Sequence, residues 1–428
     1  MTLRESNYWL DTTAMPALDW RESLPERCDV AVIGAGYTGL SAALALARRG
    51  VQVVVLEAES VGWGASSRNG GMVLTGLKLG AHTLLQRYGR ERARAMFATS
   101  LTAIDCVETL VREGGIECNF SRMGHLEVAY KPAHYSGFQD SAETMAREFG
   151  HTVRLVPAAG LGAEIGSAGY HGGLVDEVSG GLNPARYVSG LARMAQQAGA
   201  RLFEQARVER VTRAGGGYAL HTARRLLLAE NVVVATSGYT SQATPAHARR
   251  IVPIGSYIIA TEPLPADLAR ELSPRNRMIF DSKNFLYYFR LTPDGRMLFG
   301  GRAGFKPETP RTILESAGIL RRAMVRVYPQ LAGAEVAYAW GGTLDFAFDL
   351  MPHAGRLDGL WFALGYAGHG VALATYLGST LAGLVLGDAP ARPFAEIAFP
   401  RAPLGLYDGR PWFLPFAEVW YKFLDLVT

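Results

Sequence analysis

The sequence predicts an α/β protein: a Rossmann-like dinucleotide-binding domain into which an α+β domain with an antiparallel sheet is inserted. Three observations carry this. Two glycine clusters, Gly34 to Gly39 and Gly62 to Gly71, start 28 residues apart and bracket an apolar run ending in Glu57. Residues 251–334 alternate short β-rich runs with turn residues. Glycine-rich α/β composition then returns from Trp340 to Gly387. A chain of 428 residues also exceeds what one hydrophobic core usually organises. The expected nucleotide domain comprises 1–88, 151–250 and 335–428, and the inserted substrate-binding domain 89–150 and 251–334.

The first element is a βαβ unit. Val30 to Ile33 reads as a buried strand, Gly34-Ala35-Gly36-Tyr37-Thr38-Gly39 as a turn, and Leu40, Ala43, Leu44 and Ala47 as one face of a helix. Gly34 permits the tight turn, Gly36 lets the backbone approach a pyrophosphate, and Gly39 lets helix and sheet pack closely. Tyr37 and Thr38 open the helix, whose N-terminal amides and dipole favour an anion. The second strand, Val51 to Leu56, delivers Glu57 eighteen residues after Gly39, followed by Ala58. A carboxylate there accepts the hydroxyl hydrogens of a ribose and repels a 2′-phosphate. A lone G-x-G-x-x-G is weak, but strand, helix and Glu57 supply the context of a nucleotide site. With the second cluster, Gly62-Trp63-Gly64-Ala65-Ser66-Ser67-Arg68-Asn69-Gly70-Gly71, it describes a site for a flavin dinucleotide, and so an oxidoreductase.

Residues 91–150 have mostly helical spacing, with a short strand at His125 to Ala129. A helix is expected at Pro184 to Gln197, strands at Ala200 to Val211 and Tyr218 to Thr222, and a buried strand Val232 to Val234 that runs into the small-residue turn Ser237-Gly238. That turn is a third place for close backbone approach to the cofactor. Ile254 to Thr261, Phe285 to Leu291 and Arg296 to Gly300 read as strands, with Thr292-Pro293-Asp294-Gly295 as a hairpin turn. Leu360 to Gly387, nearly free of charge, reads as a buried strand, a glycine loop and a buried helix rather than a membrane span. The tail from Trp412 to Leu424 is compatible with an amphipathic helix packed on its own domain, with dimerisation or membrane contact as the lesser alternative.

Bulk composition narrows the partners. Lys plus Arg total 43 against 39 Asp plus Glu, without a basic block, so nucleic acid is not implied. Cys28, Cys106 and Cys118 show no metal or disulfide spacing, and no metal site is expected. The start of the chain has no uninterrupted apolar segment of signal-peptide type, and a cytoplasmic location is expected. The sequence leaves monomer and homodimer open.

With these motifs in order, the chain resembles the FAD-dependent D-amino-acid oxidase and glycine oxidase superfamily, and within it most nearly the γ-glutamylputrescine oxidoreductases. The likeness runs through Ser6-Asn7-Tyr8-Trp9, the two glycine clusters, Tyr287-Tyr288-Phe289-Arg290 and Gly365-Tyr366-Ala367-Gly368-His369-Gly370. It implies that the second cluster contacts the flavin, that Gly368, His369, Gly370 and Val371 face its pyrimidine edge, and that Val208 lies beside the adenine. It implies oxidation of an amine C–N bond, with hydride passing to flavin N5 and the imine hydrolysing to an aldehyde. Two departures set the chain apart from the sarcosine-oxidase branch. No cysteine follows Cys118 and the corresponding position looks like Trp340, so FAD is expected to be non-covalent. The branch's substrate-binding lysine is matched by Ala372, and its oxygen-assisting lysine by Leu298. Oxygen and another electron acceptor therefore both remain open, as does a second activity class, a D-amino-acid or N-alkyl-amino-acid dehydrogenase.

Amine oxidation asks the protein for orientation, water exclusion and charge stabilisation. A helix starting at Gly370 would favour negative charge near the flavin, with His369 adding a hydrogen bond. Tyr257, Tyr287, Tyr288, Phe289 and Trp340 are candidate aromatics for an alkyl ammonium, with Tyr288 and Trp340 retained for the site. Strand alternation makes Tyr287 with Phe289, or Tyr288 with Arg290, rival choices. Arg302 is the candidate for capturing a substrate carboxylate, and Arg68 for supporting cofactor geometry. Lys283 reads as a solvated loop lysine.

Overall fold

The computed structural model describes residues 3–18, 22–304, 308–388, 393–402 and 405–416, without the side chains at 302–304. Two eight-stranded sheets organise the chain. The first is nucleated by Arg27–Ile33, which pairs in parallel with Val53–Leu56 on one side and Leu226–Val234 on the other. Arg201–Phe203 extends it beyond Val53–Leu56, and Leu360–Leu364 extends it beyond Leu226–Val234. Val53–Leu56 is buried on both faces, which explains its unbroken Val-Val-Val-Leu sequence. The helices Tyr37–Ala47, Pro184–Gln197 and Gly370–Leu386 supply the core on one face. The hairpin Val208–Ala214 and Gly217–Thr222 covers the other.

The second sheet runs in the order Val336–Ala347, Ile251–Thr261, Met297–Gly304, Tyr287–Leu291, Met278–Asp281, His125–Val128, Gly172–Asp176, Arg154–Pro157. Its pairs are antiparallel except Met278–Asp281 with His125–Val128. The expected hairpin is present: the Gly295 amide donates to the Thr292 carbonyl (2.9 Å) between Tyr287–Leu291 and Met297–Gly304. Three strands lie outside the expected segment boundaries. Arg154–Pro157, Gly172–Asp176 and Val336–Ala347 belong to the second sheet, although 151–250 and 335–428 read as nucleotide domain. The last spans the point, Trp340, at which the composition reads as glycine-rich α/β. In fact a Cβ on Gly341 would lie 2.9 Å from Glu308 Cδ, and one on Gly342 3.0 Å from Arg68 Cβ. These glycines make room for side chains and do not end the strand.

Alternation divides the second sheet into two faces. Tyr257, Ile259, Phe289, Phe299 and Leu126 face the helix Pro310–Val327 in a closed core. The opposite residues face the nucleotide domain. Leu360–Leu364, a glycine turn and Gly370–Leu386 match the expected strand, loop and helix. Among the described residues no helix is long and apolar enough to cross a membrane.

Candidate active site

A cleft opens at the carboxyl ends of the parallel strands. Its wall includes Gly34, Gly36, Tyr37, Thr38, Glu57, Ala58, Gly64, Ala65, Ser66, Asn69, Val208, Ser237, Gly368, Gly370 and Val371. The local sequence forces this shape. Gly34 has φ +106°, and a Cβ on Gly39 would sit 1.9 Å from the Gly34 carbonyl oxygen. No side chain fits at 39 without pulling helix from turn. Ser66 Oγ accepts from the Tyr37 amide (2.9 Å), tying the second cluster to the first helix. Glu57 accepts from the amides of Ala35 (2.8 Å) and Glu59 (3.0 Å). Burial pushes its carboxyl pKa upward while these amides oppose the shift.

The second glycine cluster is held by its carbonyls. Asn7 Nδ2 donates to Ser67 O (2.9 Å), Trp340 Nε1 to Arg68 O (3.0 Å) and Trp9 Nε1 to Asn69 O (3.0 Å). The fully enclosed Arg290 guanidinium donates to Gly71 O (3.1 Å), Gly70 O (3.4 Å) and Leu182 O (3.0 Å). Arg68 is tied as well: its Nε donates to Trp63 O (2.7 Å), and Nη1 to Gly341 O and Glu308 Oε1 (both 3.0 Å). Asn69 closes the turn, donating to Ala65 O (2.9 Å) and accepting from the Gly71 amide (2.7 Å). A short segment with few internal hydrogen bonds is thereby fixed from four directions.

The junction face of the second sheet carries one cross-strand row. Register places Glu127 opposite Phe280, Phe280 opposite Tyr288, and Tyr288 opposite Gly300. A Cβ on Gly70 would lie 3.1 Å from the Tyr288 ring, so this row meets the second cluster. The Tyr288 hydroxyl lies 3.3 Å from Ser256 Oγ, and burial pushes its pKa up to about 12. At the far side the helix Gly370–Leu386 begins at His369 with no side-chain cap, leaving its first amides directed at the cleft. Burial, with Lys78 adding a like charge, pushes His369 down to about 4. The ring is neutral at pH 7, and its Nδ1 has no partner among the described residues.

The family model for FAD dependent oxidoreductases (DAO) matches residues 29–384. The chain belongs to this family. It is 34% identical over 369 residues to a "Probable oxidoreductase OrdL" of Haemophilus influenzae, covering 85% of this chain and 84% of that protein. It is 33% identical over 364 residues to the γ-glutamylputrescine oxidoreductase of Escherichia coli, again covering 85% and 84%. Among solved structures, glycine oxidase from Geobacillus kaustophilus superposes with a TM-score of 0.74 at 21% identity, covering 87% of this chain and 99% of that one. That likeness speaks for the fold.

The residues of this oxidoreductase fit FAD. Glu57, Ala58 and Val208 line the cleft wall, as an adenosine requires, and Gly36, where a Cβ would lie 2.7 Å from Ser66 Oγ, lines it at the start of the helix where a pyrophosphate would be held. Gly368, Gly370 and Val371 bring the uncapped helix start to the wall, whereas His369, whose Nδ1 has no partner among the described residues, is not itself on it. Several sequence candidates stand behind the wall rather than on it. Gly39 lies under the turn, and a Cβ on Gly238 would lie 2.6 Å from Leu344 O. Arg68, Gly70 and Gly71 belong to the braced loop. Trp340 is 2% exposed in a core with Tyr8, Trp9 and Leu298, and its Nε1 holds the loop.

The rival aromatics separate by face: Tyr257, Tyr287 and Phe289 pack in the closed core, while Tyr288 faces the junction. Ala372 and Leu298 are both buried. Lys283 departs from its reading as a solvated lysine, since Nζ lies 2.7 Å from buried Asp281. The Arg302 side chain, and the tail beyond 416, lie outside the described residues. Among the described residues no cluster could hold a metal ion. Sequence reading missed Asn7, Trp9 and Arg290 as loop holders, and Trp63, Tyr239, Asp345 and Tyr366 as wall residues. The quoted Ser6-Asn7-Tyr8-Trp9 and Tyr287-Tyr288-Phe289-Arg290 segments contained the signal for the first three.

Proposed function

We propose that this enzyme oxidises the C–N bond of an amine, γ-glutamylputrescine or a related γ-glutamylated or alkyl amine, and that the resulting imine hydrolyses to an aldehyde. The observation that carries the reading is the junction row Glu127, Phe280 and Tyr288, an apolar aromatic lane ending in a carboxylate, beside two arginines already engaged with backbone carbonyls. The 33% identity to γ-glutamylputrescine oxidoreductase over most of both chains supports it. Bound FAD supplies the two-electron acceptor. The chain supplies the rest. Phe280 and Tyr288 pack along an alkyl chain and exclude water, the open helix start at Gly370 favours negative charge near the cleft, and neutral His369 offers a hydrogen bond without adding a cation.

The test is anaerobic mixing of the yellow protein with γ-glutamylputrescine, putrescine, sarcosine and D-alanine, followed at the oxidised-flavin band at about 450 nm. Rapid bleaching by the glutamylated amine is expected. Bleaching by sarcosine or D-alanine alone overturns the reading in favour of amino-acid oxidation.

A further inference from the structure

The turn that opens the helix Gly370–Leu386 is held in a conformation that its sequence does not favour. Gly365, Ala367 and Gly368 have φ of +88°, +50° and +90°. Two of these are glycines, but a left-handed alanine costs energy and persists only where its surroundings impose it. Tyr366 and Gly368 line the cleft, as do Gly370 and Val371 of the helix, so the strained turn belongs to the cofactor site. The residue that imposes it is Asp345. Its Oδ2 accepts from the Gly365 amide (2.7 Å), and its backbone carbonyl accepts from the Ala367 amide (2.9 Å). One residue thus grips the turn at two of its three left-handed positions.

Asp345 comes from the second sheet. It stands near the end of Val336–Ala347, opposite Pro253, which has no N–H to donate. This strand end is itself seated: the Thr343 amide donates to Tyr239 Oη (3.2 Å), and Leu344 O leaves no room for a Cβ on Gly238. Asp345 is 3% exposed and lines the cleft. Burial pushes its carboxyl up to about 6, opposed by the Gly365 amide, its own amide, the Ser237 hydroxyl and the Tyr366 amide, so it stands mainly ionised at neutral pH. A second tie comes from the nucleotide motif, where Thr38 Oγ1 lies 2.7 Å from Tyr366 Oη, and that hydroxyl donates to Ala363 O (3.0 Å). It holds the Tyr366 side chain and leaves the backbone at 365 and 367 to Asp345.

We propose that Asp345 is a positioning residue of the flavin site: through the Gly365 and Ala367 amides it sets the start of the helix Gly370–Leu386 against the cofactor, and so tunes the flavin's reduction potential from the second sheet. The helix carries no side-chain cap, and its first amides and dipole favour negative charge in the cleft. Reduction of the flavin adds negative charge there. If the turn relaxes toward ordinary backbone angles, the reduced form loses part of that stabilisation and the potential falls. The inference concerns FAD, which the family uses, and its test adds no amine, so failure of the amine reading leaves it standing.

The experiment measures the midpoint potential of the bound flavin, by anaerobic reduction against a reference dye, in the flavin-loaded wild type, Asp345→Ala and Asp345→Asn. Alanine removes the acceptor at the Gly365 amide, and asparagine keeps a neutral carbonyl oxygen there. Asp345→Ala is expected to lower the potential by about 30 mV, the two-electron equivalent of the roughly tenfold change that loss of one charge-assisted hydrogen bond produces. Asp345→Asn is expected to stay within about 10 mV of wild type, roughly a twofold change. A residue that serves folding alone would lower the flavin content or melting temperature of Asp345→Ala and leave the potential of the retained flavin unchanged, which overturns the proposal. A rise in both variants also overturns it, because that sign belongs to a buried anion acting through its charge. Should Asp345→Ala emerge without flavin, Asp345→Ser, which shortens the side chain and keeps it polar, is read by the same criteria: a fall supports the proposal and an unchanged or raised potential overturns it.

Discussion

At Glu57 the carboxylate serves two backbone amides in addition to facing the cleft. Glu57→Ala leaves both amides without that acceptor, at about 1–3 kcal/mol for each that stays buried and unpaired. We expect the purified variant to carry less flavin, read as the ratio of flavin to protein absorbance after gel filtration, whereas Glu57→Gln retains more because its carbonyl still accepts. His247 provides a residue-scale handle on acid stability. It is fully buried against Phe362, both ring nitrogens lack partners among the described residues, and burial, with Arg250 adding, pushes its pKa down to about 4. In the unfolded chain it binds a proton below about 6.5. Between those two values the unfolded state holds more protons, so this group's contribution makes stability fall as pH falls. His247→Phe is expected to reduce the drop in Tm between neutral pH and about pH 4, as measured by thermal unfolding in a pH series. A parallel decline in variant and wild type would refute the assignment.

At the scale of elements, the second glycine cluster is a loop whose shape is imposed by neighbours. Arg290 alone donates to four carbonyls, those of Gly70, Gly71, Leu182 and Leu291, and its pKa is pushed down to about 10 by burial, still well above neutrality. Replacing it by Met keeps volume and removes every donor. Arg290→Met is expected to destabilise by about 3 kcal/mol or more, because buried carbonyls lose charged donors. Flavin should be released at a lower temperature than in wild type, by flavin-fluorescence melting. A variant that melts unchanged would show that the carbonyls find other donors. Trp9→Phe removes a single donor, from Asn69 O, and should cost less.

For the whole molecule, what could be read in the sequence depended on the distance over which each constraint acts. The constraint on Gly39 comes from Gly34, five residues away, so the motif announces itself locally. The same holds for Glu57, the hairpin turn at 292–295 and the helix that starts at Gly370. Trp9 and Arg290 were opaque because their partners are carbonyls 60 and about 220 residues distant. Trp340 stands among the site candidates through the family resemblance and as an aromatic, whereas the fold buries it on an unbroken strand whose Gly341 and Gly342 accommodate Glu308 and Arg68.

The braces on the second glycine cluster also set a timetable. Asn7 and Trp9 bond to residues 60 positions downstream, Arg290 to Gly70 from 220 positions away, and Trp340 to Arg68 from 272. Contacts of such separation form late, after the intervening chain has been ordered. During synthesis the ribose-binding turn can be made early, but the loop beside it lacks its full set of braces until residue 340 has emerged, and the helix at Gly370 follows later still. Tight retention of the cofactor thus begins only when most of the polypeptide exists, so an interrupted chain gains little from the vitamin-derived molecule it would otherwise withhold from finished enzyme.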